Sequence, residues 1–177
     1  MHFQAHTTDT APPASRPALE GAQRAFGFVP DALARMAESP TLVEAFGRAH
    51  HSFEQTNLDP LEREVVVLAA ARDFGCDYCK AMHLTQLARR GEAPIGRAVL
   101  EGRDPGSPRL AALARFTHAV IESRGEVDDA ELDAFFAAGF DRRATLDVVV
   151  GIGAYTMSMF ANRLTRAEID PAFAERA

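Results

Sequence analysis

The sequence has few of the features that mark specialised classes of protein. Lys and Arg occur in no run longer than two, and the 177 residues carry 19 of them against 25 Asp and Glu, a formal net charge of −6. This acidic balance argues against a surface that tracks nucleic-acid phosphates, so we expect no nucleic-acid partner. The composition, 47% hydrophobic and 25% charged, is that of an ordinary globular protein. A chain of this size buries about 70% of its unfolded surface, so its folding requires no disulfide and no metal.

The sequence also lacks an apolar run long enough to cross a bilayer. The most apolar stretch, residues 148–161, holds 14 residues, whereas a membrane-spanning helix needs about 20. We predict that this stretch is a buried part of a helix running from Asp141 to about Leu164. No membrane partner is therefore expected.

The amino-terminal residues lack the apolar core with basic flanks that a secretory signal shows. Residues 1–17 are polar and contain three prolines, and we interpret them as a flexible arm before a single domain at residues 18–177. Without an export signal, the expected location is the cytoplasm. In that reducing compartment two lone cysteines seldom form a structural bridge, so their presence calls for another explanation.

Helix signals recur along the rest of the chain, and no alternation of apolar and polar residues is long enough to demand a sheet. A capping box and a proline predict a helix that opens at Asp59 and stops before Gly75. The next helix is predicted to begin at Cys76 and to end near Arg90, before Gly91. Because the links between helices are short, neighbouring helices should pack antiparallel. The predicted fold class is all-α, a single-domain helical bundle.

Both cysteines of the chain lie in one tetrapeptide, and a histidine follows them. Cys76, Cys79 and His83 form the pattern Cys-x-x-Cys-x-x-x-His on one predicted helix. Side chains three and four positions apart share a helix face, so the three groups should lie on one stripe. Unpaired backbone N–H groups at the start of the helix favour a thiolate there. The spacing therefore suits redox chemistry.

Reactivity of such a pair depends on the fraction of thiolate. A thiol with a pKa of about 8.5 is only ~3% ionised at pH 7, and a shift to about 6.5 needs about 2.7 kcal/mol of thiolate stabilisation. His83 could supply part of it, either by accepting the Cys79 proton or by stabilising the anion once charged. Glu64, on the preceding helix, is the candidate to orient His83.

Two other interpretations of the cysteines remain open: half of a zinc site, and inert packing in the core. A four-ligand zinc site would need His50, His51 or His118 to approach from another helix, because no second cysteine pair follows. We interpret these three histidines as ordinary surface or packing residues, and we predict no metal ligands.

The block of residues 61–83, which contains the cysteine pair and both partner side chains, resembles the alkyl hydroperoxidase D-like branch of the carboxymuconolactone decarboxylase family. Residues 26–30, 39–40 and 170–173 are also similar to segments of such chains. The resemblance implies an all-helical fold, usually assembled into homo-oligomers. It further implies reduction of hydroperoxides by a cysteine pair, with no bound metal, haem or other cofactor.

The resemblance also implies a role for each site residue. Cys79 resembles the cysteine that attacks the peroxide and Cys76 the resolving one, while His83 resembles the base beside Cys79 and Glu64 the acid that completes the proton relay. The chain departs from the best-known hydroperoxidases at Tyr78, where they have a histidine.

The function predicted from these patterns is thiol-dependent hydroperoxide reduction. A dithiol partner, either a thioredoxin-like protein or a lipoyl group, would then reset the pair by attacking Cys76, the sulfur expected to be more accessible. One alternative is proton-transfer chemistry on a lactone or similar acid by His83 and Glu64, as in the decarboxylase branch. Another is a non-catalytic helical assembly module that senses redox state or holds zinc.

Overall fold

The computed structural model describes residues 3–174, which form ten α-helices joined by short loops and contain no strand. The helices are α1 Arg16–Phe26, α2 Asp31–Met36, α3 Pro40–Glu54, α4 Pro60–Asp73, α5 Asp77–Arg89, α6 Ala93–Leu100, α7 Pro108–Ser123, α8 Asp129–Ala137, α9 Arg142–Thr165 and α10 Pro171–Ala174. They pack as one bundle, which confirms the predicted all-α fold.

Helix α4 runs through the centre of the bundle and packs against α5, α6, α7 and α9. Its residues 65–71 are all buried, and three consecutive alanines at 69–71 allow its neighbours to approach closely. The predicted capping box is present: the Glu62 backbone N–H donates to Asp59 Oδ1 at 2.8 Å, and the Asp59 N–H donates to Glu62 Oε2 at 3.0 Å. The start of this helix is therefore fixed by local chemistry, as the sequence predicts.

The chain turns sharply between α4 and α5. Gly75 has a φ of +66°, a left-handed conformation that favours glycine. Cys76 follows in an extended conformation as the N-cap of α5, and its sulfur accepts a hydrogen bond from the Cys79 backbone N–H at 3.4 Å. The helix thus begins at Asp77, one residue later than predicted, because the thiol caps the helix instead of entering it.

Helix α9 has nearly the predicted bounds but is more exposed than predicted. It spans 24 residues, with the Asp141 side chain capping it at 2.8 Å through the Ala144 N–H. One face packs against α3 and α4, but Leu146, Phe160 and Leu164 on the opposite face are 67%, 54% and 73% exposed. The length and hydropathy of α9 would allow it to cross a membrane. Half of its most apolar segment is buried inside the bundle, however, as in the core helix of a soluble domain. Within one chain, residues 148–161 are therefore buried on one face only, and Val149, Val150 and Phe160 on the other face are exposed.

The amino-terminal segment lies against the bundle within its described part, residues 3–17. Ala11 and Ser15 are 1% and 0% exposed, and the Ser15 hydroxyl donates to the Ala37 carbonyl at 2.8 Å. The prediction of a flexible arm does not describe these residues, because they cover the carboxyl end of α2.

Candidate active site

The two cysteines lie at the start of α5 with their sulfurs in contact. Both are free and buried, Cys76 at 1% and Cys79 at 3% exposure. The two sulfurs lie 2.9 Å apart, within hydrogen-bond distance of each other. Sulfurs this close can exchange a proton, and they can bond to each other once one is oxidised.

The two sulfurs share one negative charge. The hydrogen bond from the Cys79 thiol, helped by the Cys79 backbone N–H, Asn162 and the charge of His83, lowers the pKa of Cys76 from 9.0 to about 7 against the opposing effect of burial. The same hydrogen bond to Cys76, together with burial and the Cys76 charge, raises the pKa of Cys79. These opposite shifts favour ionisation of Cys76, the sulfur that caps the helix, over that of Cys79.

His83 and Glu64 form the pair that the sequence suggests. His83 Nδ1 lies 2.8 Å from Glu64 Oε2, and the Arg90 guanidinium lies 3.3 Å from Glu64 Oε1. Burial would raise the pKa of Glu64, but the charge and hydrogen bond of His83, with Arg90, lower it overall. The carboxylate therefore fixes one ring nitrogen of His83 and leaves Nε2 available for proton exchange.

A cavity of about 470 Å³ opens beside this group. Cys79, His83 and Glu64 line it, whereas Cys76 does not. Most of the remaining wall is apolar or aromatic, with Phe46 and Phe53 among its members. The expectation that Cys76 is the more accessible sulfur is therefore wrong, because Cys79 lines the cavity and Cys76 does not.

Helix α9 contributes polar side chains that the sequence patterns did not identify. Asn162 Nδ2 lies 3.4 Å from the Cys79 sulfur, 3.9 Å from the Cys76 sulfur and 3.4 Å from Ser158 Oγ. Tyr155, Ser158 and Asn162 all line the cavity. In the sequence, these three polar residues share one face of a strongly apolar helix, which could have marked them as functional. That spacing does not show, however, that this face contacts the cysteines.

His50 also lies in the wall of the cavity, a position that no sequence pattern predicts. Its ring centroid is 5.9 Å from that of Tyr155, and burial is the main cause that lowers its pKa. His51 and His118 lie elsewhere, and His118 Nδ1 is 2.8 Å from Asp73.

Tyr78 lines the cavity and contacts the carboxyl-terminal segment. Its hydroxyl donates to Asp170 at 2.5 Å, and its ring packs edge-on against Phe173 of α10. The burial of Tyr78 and the neighbouring Asp170 raise its pKa, so the hydroxyl stays protonated. The departure at this position thus connects the cysteine motif to the carboxyl-terminal segment instead of adding a second histidine.

The zinc interpretation finds no ligand set in the described part of the chain. Within residues 3–174, no group of three or more His, Cys, Asp or Glu side chains is arranged to hold a metal ion. None of His50, His51 and His118 forms such a site together with the two sulfurs.

Comparison with known families gives one match, to part of the chain. Residues 37–96 match the model of the carboxymuconolactone decarboxylase family. This segment contains the cysteine pair, His83 and Glu64. A search of curated proteins finds none that matches the chain.

Solved structures share the fold over nearly the whole chain. The alkylhydroperoxidase AhpD core of a peroxidase-related protein from Ralstonia eutropha JMP134 is 21% identical, with a TM-score of 0.87 over 97% of this chain and 93% of that one. A peroxidase-related protein from Silicibacter sp. TM1040 is 19% identical, with a TM-score of 0.82 over the same shares. The debrominase Bmp8, in complex with 2,3,4-tribromopyrrole, is 21% identical, with a TM-score of 0.74 over 93% of this chain and 89% of that one. The chain therefore has the alkylhydroperoxidase D-like fold, and its residues 37–96 are similar to the carboxymuconolactone decarboxylase family.

Proposed function

We propose that the protein reduces organic hydroperoxides with its cysteine pair. The observation that carries the proposal is a pair of free sulfurs 2.9 Å apart, of which Cys79 opens onto a cavity shared with the His83–Glu64 pair. A thiolate, a second thiol to trap its oxidised form, and a group to manage protons are what such a reaction requires.

In the first step, the Cys79 thiol passes its proton to the Cys76 thiolate. The Cys79 thiolate then attacks the terminal oxygen of the hydroperoxide, so that a sulfur–oxygen bond forms and the oxygen–oxygen bond breaks. The sulfur loses two electrons, which reduce the peroxide, and the departing alkoxide takes a proton from the His83 imidazolium, one helical turn from Cys79. The products are an alcohol and a sulfenic acid on Cys79.

In the second step, the Cys76 thiol attacks the oxidised sulfur. The sulfur–sulfur bond forms, the sulfur–oxygen bond breaks, and the Cys76 proton passes through His83 to the departing hydroxide, which leaves as water. A dithiol, carried by a thioredoxin-like protein or a lipoyl group, then reduces the bridge and is itself oxidised to a disulfide. Its two protons return to one cysteine and to His83. This cycle requires a reducing compartment, and we propose the cytoplasm.

The cavity wall favours peroxides with an apolar organic group. Phe46, Phe53 and Tyr155 face the space next to Cys79, and removing apolar carbon from water contributes about 25 cal/mol per Å² of surface. Hydrogen peroxide has no carbon to bury there. We therefore expect cumene hydroperoxide to react at least about tenfold faster than hydrogen peroxide.

The test is a thiol count after addition of stoichiometric cumene hydroperoxide. The proposal predicts loss of both thiols of the chain, restored by dithiothreitol. Cys76→Ser should stop at a sulfenic acid that dimedone traps, whereas Cys79→Ser should not react. The opposite pattern would reverse the two roles. No thiol loss in the unmodified chain would favour proton transfer by His83 and Glu64, which thiol alkylation should leave intact.

A second candidate is reductive removal of a halogen from an aromatic ring, the class of reaction named for the debrominase with this fold. The rings of Phe46, Phe53, His50 and Tyr155 in the cavity wall favour it, because a flat aromatic substrate stacks well among them. Two cysteine thiols and a bromoarene would give the arene, bromide, a proton and the disulfide. Bromide release from 2,3,4-tribromopyrrole, measured by ion chromatography beside cumene hydroperoxide turnover, separates the two candidates.

A further inference from the structure

We propose that Asn162 is a positioning residue whose carboxamide stabilises the negative charge of the cysteine pair on both sulfurs in turn. The inference deepens the proposed thiol chemistry. Its test measures thiol ionisation rather than peroxide turnover, so the two proposals can fail separately.

Asn162 reaches both sulfurs from the helix opposite the cysteine motif. Its Nδ2 lies 3.4 Å from Cys79 and 3.9 Å from Cys76, both within the range of hydrogen bonds to sulfur. The side chain is 3% exposed, so little water competes with these contacts. A neutral amide donates hydrogen bonds without titrating, which distinguishes it from His83.

The other donors to sulfur each serve one site. The Cys79 backbone N–H donates to Cys76, and the Ser158 hydroxyl lowers the pKa of Cys79. When the charge moves from Cys76 to Cys79 for attack on a substrate, the backbone N–H cannot follow it. The Asn162 amide already contacts Cys79, so it is placed to stabilise the charge after the transfer as well as before it.

The orientation of the amide supports a role at the sulfurs. With Nδ2 turned toward the sulfurs and toward Ser158 Oγ, Asn162 Oδ1 is buried and has no hydrogen-bond partner among the described residues. An unpaired buried acceptor is unfavourable for folding. Rotating the amide would place that oxygen against a thiolate, where the two would repel each other. The observed orientation of the amide thus leaves Oδ1 without a partner and keeps the Nδ2 donor on the sulfurs.

The experiment measures the rate of alkylation by iodoacetamide as a function of pH. Asn162→Leu removes the donor, and Asn162→Asp keeps the shape while replacing the amide with a carboxylate. We expect both variants to raise the apparent pKa of the pair, by about one unit or more, which lowers the alkylation rate below pH 7 about tenfold. Asn162→Asp should show the larger shift, because its charge repels the thiolate.

Two controls separate ionisation from folding. Thr165→Val removes another buried polar group of α9, one whose hydroxyl donates to the Asn162 carbonyl at 3.5 Å, and should leave the alkylation profile unchanged. Circular dichroism reports whether each variant is folded, and the isosteric Asn162→Asp serves if Asn162→Leu is not. Folded variants with the unmodified pH profile would overturn the proposal.

A second comparison tests the claim that the amide serves both sulfurs. The Asn162 substitutions are repeated in Cys76→Ser, where only Cys79 remains, and in Cys79→Ser, where only Cys76 remains. We expect the pKa of the remaining thiol to rise in both backgrounds. A shift in only one background would overturn the proposal that the amide acts on both sulfurs.

Discussion

Glu64 is the residue that most directly sets the state of His83. Its carboxylate lies 2.8 Å from Nδ1, and Arg90 holds its other oxygen at 3.3 Å. The pKa of Glu64 is lowered from 4.5 because these positive neighbours outweigh burial. Its ionised form therefore stabilises the fold above that pH, and the contribution is lost as the pH falls through the lowered value.

Replacing Glu64 tests the proton relay at the scale of one residue. Glu64→Gln keeps the shape but removes the charge that favours the imidazolium, so we expect the rate of cumene hydroperoxide reduction to fall about 100-fold. The matched control is Glu54→Gln, since Glu54 also lines the cavity but pairs with Arg63 at 3.5 Å instead of with His83. Equal losses in the two variants, measured as kcat at saturating peroxide, would contradict a relay role.

The titration of the sulfurs gives a second test at this scale. Because the pKa of Cys76 is lowered to about 7, the first alkylation should accelerate as the pH rises through about 7, two units below an ordinary thiol. Rate measurements with limiting iodoacetamide between pH 5 and 9 check this. Cys79→Ala removes the hydrogen bond that contributes most, so the single thiol of this variant should titrate at higher pH.

Residues close in sequence were predictable, and residues distant in sequence were not. The pairing of Glu64 with His83 follows from two helices joined by a short turn, and the structure has this contact. Asn162 and Tyr155 come from α9, far along the chain, whereas His50 comes from α3, next to α4; each is of a type that cores and surfaces also contain. The division of charge between the sulfurs depends on which one caps the helix, which the spacing of Cys76 and Cys79 does not reveal.

Helix starts were predicted well because their chemistry is local. The capping box at Asp59 and the cap at Asp141 appear where the sequence indicates. The start of α5 was misplaced by one residue, since a thiol took the capping role usually held by Ser, Thr, Asp or Asn. The exposed face of α9 could not be predicted, because composition alone does not say how many sides of an apolar helix are covered.

Packing of α3 against α9 depends on a glycine. A Cβ at Gly151 would lie 2.5 Å from the Phe53 ring, which is 1% exposed and forms part of the cavity wall. We expect Gly151→Ala to reduce the free energy of unfolding by about 1–3 kcal/mol through overpacking, as measured by urea denaturation. By pushing Phe53 toward the cavity it should also raise the KM for cumene hydroperoxide.

The control for this prediction lies in the partner helix. Gly47 is in the interior of α3, and a Cβ there meets nothing within 4 Å. Gly47→Ala should therefore stabilise the protein by about 0.5–1 kcal/mol, the usual gain from alanine in a helix. If Gly151→Ala were as stable as Gly47→Ala, the close contact between α3 and α9 would not limit packing.

At the scale of the whole molecule, the exposed face of α9 is the feature that remains unpartnered. Leu146, Val149, Phe160 and Leu164 form an apolar stripe along it. Near its middle a Cβ on Gly153 would meet nothing within 4 Å, so another helix could approach closely. Leu146 and Phe160 lie equally far on either side of Gly153. A second copy packed antiparallel about this point would therefore bring the two residues together, as an isologous interface requires.

We therefore expect the protein to self-associate through α9. Light scattering should give a multiple of the 19.2 kDa chain mass, and Val149→Glu should shift the mass toward that of one chain, because a buried unpaired charge is costly. Ala137→Glu, at an exposed position of α8 outside the stripe, should leave the mass unchanged. A mass near 19.2 kDa for the unmodified protein would reject the expectation.

The burial of both sulfurs restricts which reductants can regenerate the pair. Once Cys79 is bridged to Cys76, the bond lies beneath the protein surface and its accessible atom faces the cavity. The flat face of a thioredoxin-like protein would stop at the rim, whereas a lipoyl group on its long, thin arm could extend inside. Of the two dithiol carriers, we therefore propose the tethered lipoyl group, whose supply would connect the turnover of this protein to the pool of lipoylated carriers in the cell.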